Sequence, residues 1–412
     1  MYRILLLSFL LGLCLSGSAV ELVSSSLVKS YTKDELVAYY KKKRVPKFLM
    51  GVKYDIDLYK MLYKTPNEKG ELVLASGLFV VPKGAKERLP LVSYQHGTSI
   101  RKNDAPSQLE GEYVIGMGMA TNGYAVALPD YLGLGEGEGF HLYLHAQTEA
   151  SASLDMILAC KQFAKDKGIV LNDMLFLAGY SQGGHATMAL HKMIEERYAD
   201  ELKVTASAPM SGPYDLTGAQ AEVISEYREY SNPGYLPYVI FSYNRVYHLF
   251  QSPSEVFLPP YDTILPPLLD GTHGMNALNK AMPKVPANAL KPEVVLAFKT
   301  DTASLYAKAM RDNNLYDWKP KAPVKMCYCE ADEQVSYKNA FVAYEAFRKQ
   351  GAKQVKKAGM GKKFNHRKCA YYSLVYSKMW FDSFRKGKEK GRKGPIFKRL
   401  ALTLARPAVR KS

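Results

Sequence analysis

Apolar and polar positions alternate along the first part of the chain, and the period changes along it. Lys53 to Lys64 alternates with a period of two, carrying Ile56, Leu58 and several tyrosines, and predicts a strand. Leu72 to Val81 predicts its partner, across a turn at Pro66-Asn67-Glu68-Lys69-Gly70. Short apolar runs follow at Leu91 to Tyr94, Tyr124 to Leu128, Met174 to Ala178 and Leu202 to Ala208, with another at Val324 to Cys329. Helical spacing marks Thr148 to Lys167, Gly184 to Tyr198, Tyr337 to Lys349 and a last stretch through Tyr371, Leu374, Val375, Met379 and Trp380. Val23 to Tyr40 also carries a helix signal, with Thr32 as cap and Glu35 three residues on. Strands alternating with helices predict an α/β architecture, a mostly parallel sheet flanked by helices.

The pattern breaks after residue 213. Residues 214–320 are rich in Pro, Tyr and Asn, with short helical stretches and no strong strand. This predicts an inserted, mainly helical lid or cap over the carboxyl edge of the sheet, where ligands bind in open α/β folds. The predicted organisation is a signal peptide at 1–19 and a core at 20–213. The insertion follows, then the second part of the core at 321–385 and a basic tail at 386–412. No internal repeat is visible.

Composition changes this picture at the two ends. The chain has 412 residues, 47% apolar and 23% charged, as folded globular proteins do. Arg3, the apolar run Ile4 to Leu15 and small residues at Gly17-Ser18-Ala19 predict export, secreted or periplasmic, with cleavage after Ala19. Lipidation at Cys14 is disfavoured by the bulky Leu13 before it. Net charge is +17, and Arg385 to Ser412 holds eleven Lys or Arg against the single acid Glu389. That tail reads as solvated chain or as a contact for an anionic membrane surface. No aromatic-interleaved platform supports specific nucleic-acid binding. Without Cys14, four cysteines remain: Cys160, Cys327, Cys329 and Cys369. They allow two disulfides in three connectivities. Cys327 and Cys329 point to one face of a strand, which disfavours their pairing with each other; Cys369 could reach that strand's end, and Cys329–Cys369 is the bond to test.

The chemistry centres on Gly179-Tyr180-Ser181-Gln182-Gly183. The pentapeptide alone is common; between an apolar strand and a helix it becomes the signature of a nucleophilic serine on a sharp turn. A serine needs a base to take its proton, and the base needs an orienting carboxylate. His366 is the only histidine after the last predicted strand end. Asp332 follows Val324 to Cys329 in the loop Glu330 to Val335, with Glu330 and Glu333 as rivals. The order Ser181, Asp332, His366 matches α/β-hydrolases. The Gln182 amide supplies one oxyanion donor, and Thr98 or Gly97, in the loop after Leu91 to Tyr94, supplies the second. His96 is structural in this reading. Asp130-Tyr131-Leu132-Gly133-Leu134-Gly135 reads as a loop shaping the pocket rim. His141 and His145 have i, i+4 spacing but no glutamate between them, so no metal site is expected. No cofactor is required.

Together, Ser93 to Thr98, Pro129 to Gly135, Gly179 to Gly184, Ala331 to Val335 and His366 with Cys369-Ala370 resemble the secretory lipase (lipase A-like) family of the α/β-hydrolase superfamily, over roughly residues 50–385. The resemblance implies Ser181, Asp332 and His366 as a triad and a helical lid before the strand leading to Asp332. Arg367-Lys368 depart from the small residues expected after the histidine, which bears on the size and charge of the pocket. The expected activity is hydrolysis of carboxylic esters or lipids through an acyl-enzyme. The rivals are peptide or amide cleavage by the same residues, and a non-catalytic protein held on envelopes or polyanions by its tail.

Overall fold

The computed structural model describes residues 21–42, 51–222 and 226–387. The predicted signal segment and the tail beyond residue 387 lie outside the described residues. Nine strands form one sheet in the order β1-β2-β3-β5-β4-β6-β7-β8-β9. β1 (Leu22–Tyr31), β2 (Ile56–Pro66) and β3 (Leu72–Pro82) form an antiparallel entry that reaches β5 (Ala125–Pro129). From β5 onward, β4 (Leu89–Gln95), β6 (Leu171–Tyr180), β7 (Val204–Met210), β8 (Val324–Cys329) and β9 (Val355–Gly361) run parallel.

Most of the parallel strands read as short apolar runs because helices cover both of their faces, whereas β9 carries Lys356 and Lys357 and is only partly buried. Along β6, Phe176, Ala178 and Tyr180 enter one core, while Leu175 and Leu177 enter the other. Helices α1 (Lys33–Lys42) and α2 (Tyr113–Ala120) pack on the first side, and α3 (Ala146–Asp166) and α4 (Gln182–Arg197) on the second. α5 (Tyr235–Tyr247), α6 (Tyr261–Ile264), α7 (Met275–Ala281), α8 (Pro292–Thr300) and α9 (Leu305–Asp312) occupy the stretch between β7 and β8 and build a core of their own around Tyr238, Phe257, Leu265 and Leu278. α10 (Lys338–Lys349) follows β8, and α11 (His366–Arg385) closes the first side.

Four stretches depart from the sequence pattern, and two of them, α2 and β9, are elements it did not predict. Residues 22–31 are a strand, and the predicted helix begins only at Lys33. The capping box is present: Thr32 N donates to Glu35 at 2.8 Å, and Glu35 N to Thr32 Oγ1 at 3.2 Å. Ahead of it, β1 is an edge strand exposed on most of both sides, so its side chains show no burial period to read. His141 and His145 lie in a loop before α3, not on a helix; His145 is that helix's N-cap.

Candidate active site

Ser181 sits between the end of β6 and the start of α4, with φ 61° and ψ −123°. A non-glycine residue with positive φ is strained and has to be held there by its surroundings. Glycines make the turn sterically feasible. A Cβ on Gly179 would lie 2.2 Å from the Gly183 carbonyl oxygen, and one on Gly183 would lie 2.0 Å from that of Gln95. Backbone cannot yield as a flexible side chain can, so both positions exclude any other residue.

The carboxylate and imidazole meet at the ends of later elements. Asp332 lies just past β8, where its Oδ1 accepts the amides of Gln334 at 3.0 Å and Val335 at 2.9 Å. Both Asp332 oxygens are 2.8 Å from His366 Nδ1. His366 opens α11. Glu333, a sequence rival of Asp332, instead accepts the His366 backbone amide at 2.9 Å. Asn365 caps the same turn by accepting from Lys368 N at 3.0 Å. A disulfide joins Cys329, the last residue of β8, to Cys369, one turn into α11. It therefore ties together the two segments that carry Asp332 and His366. Tyr180, beside the serine, donates to the His366 carbonyl at 2.6 Å, and its ring lies 4.8 Å from the imidazole. Asp332 engages Nδ1 of the His366 ring, which leaves Nε2 as the nitrogen for a proton from the serine.

Gln182 is the first residue of α4, where amides lack intrahelical partners. Of the two expected second donors, Gly97 packs against the Glu112 carboxylate, whose Oε1 would lie 3.0 Å from a Cβ placed on it. Burial pushes Glu112 up from its ordinary range, opposed by the Tyr94 hydroxyl that donates to it at 2.6 Å. Thr98 follows in the loop, its Oγ1 3.1 Å from the Tyr143 hydroxyl.

Ser181 and Gln182 line a cavity of about 60 Å³ with Leu144, Leu216, Leu236 and Val335 among its walls. Arg367 and Lys368, the sequence departure, are exposed and do not line it. Nor does the Asp130 loop form the rim. Asp130 is buried, accepting Ser76 Oγ at 2.6 Å and Ser107 N at 2.9 Å. Tyr131 donates to the His96 carbonyl at 3.1 Å, so this loop supports the strand end beneath Gly97 and Thr98. His96 is buried, its ring nitrogens 2.7 Å and 3.1 Å from the carbonyls of Gly97 and Asp130. His141 Nδ1 faces the Leu132 carbonyl at 3.1 Å, and its Nε2 faces Gln182 Nε2 at 2.8 Å. Burial, followed by the neighbouring His96, pushes His141 down to about 3. Among the described residues no group of three His, Cys, Asp or Glu is placed to hold a metal ion.

Sequence reasoning missed Glu112, Glu149 and His185. The last two form a buried pair at 2.7 Å beneath the serine turn. Their signal was an acid on the apolar face of the helix at Thr148 to Lys167 and a histidine one turn past Ser181.

A parallel sheet with flanking helices and a serine on the strand–helix kink defines an α/β-hydrolase. The profile of the secretory lipase family matches residues 105–253. A hydrolase candidate from Legionella pneumophila is 30% identical with a TM-score of 0.82, over 91% of this chain and 100% of that one. The rice cell wall degrading esterase LipA from Xanthomonas oryzae, in a ligand-bound form, is 28% identical with a TM-score of 0.75, over 84% of this chain and 92% of that one. Candida antarctica lipase A in its closed state shares the fold, with a TM-score of 0.71 at 16% identity over 95% of this chain and 90% of its own. No curated protein matches. The chain belongs to the secretory lipase family of α/β-hydrolases.

Proposed function

We propose that the protein is an exported carboxylic ester hydrolase that works through an acyl-enzyme on Ser181. The carrying observation is the imidazole of His366, held at 2.8 Å by both oxygens of Asp332 and 4.8 Å from the ring of Tyr180, the residue that precedes the serine on its strained turn. In this reading His366 Nε2 takes the hydroxyl proton as Ser181 Oγ attacks the ester carbonyl. Asp332 fixes the tautomer with Nδ1 protonated and stabilises the imidazolium that forms. The amides of Gln182 and of Thr98 or Gly97 hold the oxyanion. The imidazolium returns its proton to the departing alcohol, and water, activated by the same histidine, releases the acid. The apolar walls favour an acyl chain over a peptide.

Export is supported by the family and by the charged, apolar and small residues of positions 1–19. Ser181→Ala is expected to lower p-nitrophenyl ester hydrolysis by about 10⁴-fold or more, with unchanged circular dichroism. Activity of that variant near the parent's, or no hydrolysis and no fluorophosphonate labelling of the parent, overturns the proposal.

A further inference from the structure

Beneath the serine lies a second histidine–carboxylate pair, and it grips the first turn of α4 from below. Glu149, in the first turn of α3, and His185 are both buried, with 1% and 0% of their side chains exposed. Glu149 Oε1 accepts from Gln182 Nε2 at 2.8 Å, and its Oε2 is 2.7 Å from His185 Nδ1. His185 Nε2 lies 3.0 Å from the Asn313 carbonyl oxygen, so that nitrogen carries a hydrogen and donates it. One remaining proton then lies between Nδ1 and the carboxylate.

The Gln182 side chain is fixed just as tightly. His141 Nδ1 donates to the Leu132 carbonyl, which leaves Nε2 as an acceptor for Gln182 Nε2. Both amide hydrogens of Gln182 are thereby assigned, one to His141 and one to Glu149. Flipping the amide would set its oxygen against the Glu149 carboxylate, so the orientation is determined. Gln182 Oε1 is left buried without a partner among the described residues, a cost that these two bonds offset.

Gln182 and His185 both belong to the first turn of α4, the turn that follows a serine held at positive φ. The opening amides of a helix have no intrahelical acceptors, so this turn depends on its surroundings for its geometry. Asn313 adds a link outward. It directly follows α9, at the return of the 214–320 stretch, and its Oδ1 also accepts the Ala146 amide at the head of α3 at 2.7 Å.

We propose that Glu149 is a positioning residue for ester hydrolysis: by holding Gln182 and His185 it aims the Gln182 backbone amide at the developing oxyanion. This inference rests on the ester-hydrolase reading above and adds to it the group that sets the donor's direction. Glu149 itself touches no reacting atom. Its charge is balanced by the proton it shares with His185, so the pair does not oppose the oxyanion.

The test compares Glu149→Ala with Glu149→Gln on a p-nitrophenyl ester and on the matching thionoester, whose sulfur is a poor acceptor of oxyanion-hole hydrogen bonds. Glutamine keeps every contact: its oxygen accepts from Gln182, and its amide donates to His185 Nδ1. The expected result for Glu149→Ala is a fall in kcat of about tenfold to a hundredfold at unchanged KM. Its ester-to-thionoester rate ratio should drop by a factor of about five or more, because the donor that discriminates oxygen from sulfur is no longer aimed. Glu149→Gln is expected to stay within about threefold of the parent in both readouts. If Glu149→Ala does not fold, Gln182→Met removes the same contact from the other side, keeps the backbone amide, and should give the same collapse of the ratio. A parent-like ratio in a folded Glu149→Ala or Gln182→Met, or a Glu149→Gln as impaired as Glu149→Ala, overturns the inference. A parent without Ser181-dependent hydrolysis instead overturns the ester-hydrolase reading, so the two failures are distinguishable.

Discussion

Two imidazole–carboxylate pairs lie on opposite sides of the serine turn, and they differ in one nitrogen. His366 and Asp332 meet at 2.8 Å, and His185 and Glu149 at 2.7 Å; all four side chains are at most 8% exposed. In the deeper pair both imidazole nitrogens are engaged, one by the carboxylate and one by the Asn313 carbonyl. In the other, only Nδ1 is engaged among the described residues, and Nε2 is left for a proton. The pairing itself therefore does not make a base. A base needs its second nitrogen vacant beside the nucleophile; with that nitrogen occupied, the same two side chains become a clamp. Their supports differ accordingly. The first pair joins strand-end segments cross-linked by Cys329–Cys369, and the second joins two helices packed on the far face of the sheet.

The sharpest way to break this comparison is to remove each imidazole in turn. His366→Ala is expected to lower kcat by about 10⁴- to 10⁶-fold, with a stability loss smaller than that of His185→Ala because Asp332 keeps the amides of Gln334 and Val335. His185→Ala strands the Glu149 carboxylate in the core, where an uncompensated buried charge costs about 3–5 kcal/mol. The effect should appear in urea unfolding first and in kcat second. A His185→Ala variant as stable as the parent, or a His366→Ala variant that retains activity, would erase the distinction.

Much of this contrast was legible in the sequence on one side only. The apolar runs located the strands because covered parallel strands have few alternatives, and the glycines flanking Ser181 announced the turn because backbone sits where their side chains would be. Chain order pointed to Asp332 and His366, and the structure brings these two together. Position at the strand end favoured Asp332 over Glu333, and the loop shows how the two differ. Both acids reach His366, but one meets its ring and the other its backbone amide. The clamp was invisible because its parts come from α3, α4 and the return of the inserted stretch, at residues 149, 185 and 313, with no motif linking such distances. Edge strand β1 was hidden for the opposite reason: with little of it buried, its pattern carried no period.

His141 extends the comparison to a third imidazole with both nitrogens occupied. Burial holds it neutral, its pKa down at about 3 against about 6.5 in an unfolded chain. Between those values the unfolded state binds the extra proton. The stability from a neutral His141 is therefore complete above pH 6.5 and is lost as pH falls toward 3. Replacing it with glutamine, which can still accept from Gln182, removes that dependence. The stability advantage of the parent over His141→Gln should shrink by about 3 kcal/mol between pH 7 and pH 4 in urea unfolding. An advantage constant over that range would mean that His141 is not held neutral by burial.

The smallest effect separates the two acids of the loop after β8. Glu333 Oε2 accepts the His366 amide at 2.9 Å, while Asn365 already caps the same turn through Lys368 N. Its carboxylate faces the start of α11, where a negative charge favours the helix dipole, an effect of about 0.3–1 kcal/mol. Glu333→Ala should therefore cost about 1 kcal/mol of stability, and kcat only severalfold, since Asp332 still orients the ring and the disulfide still pins the helix to β8. Asp332→Asn removes the carboxylate that the imidazolium needs, and should cost about 10³- to 10⁴-fold in kcat with the fold intact. Measured side by side on one ester, the two variants should differ by at least a hundredfold. Equal losses would mean that the acid beside the ring and the acid beside the backbone share one task, and that orienting the base and anchoring its helix are not separate jobs.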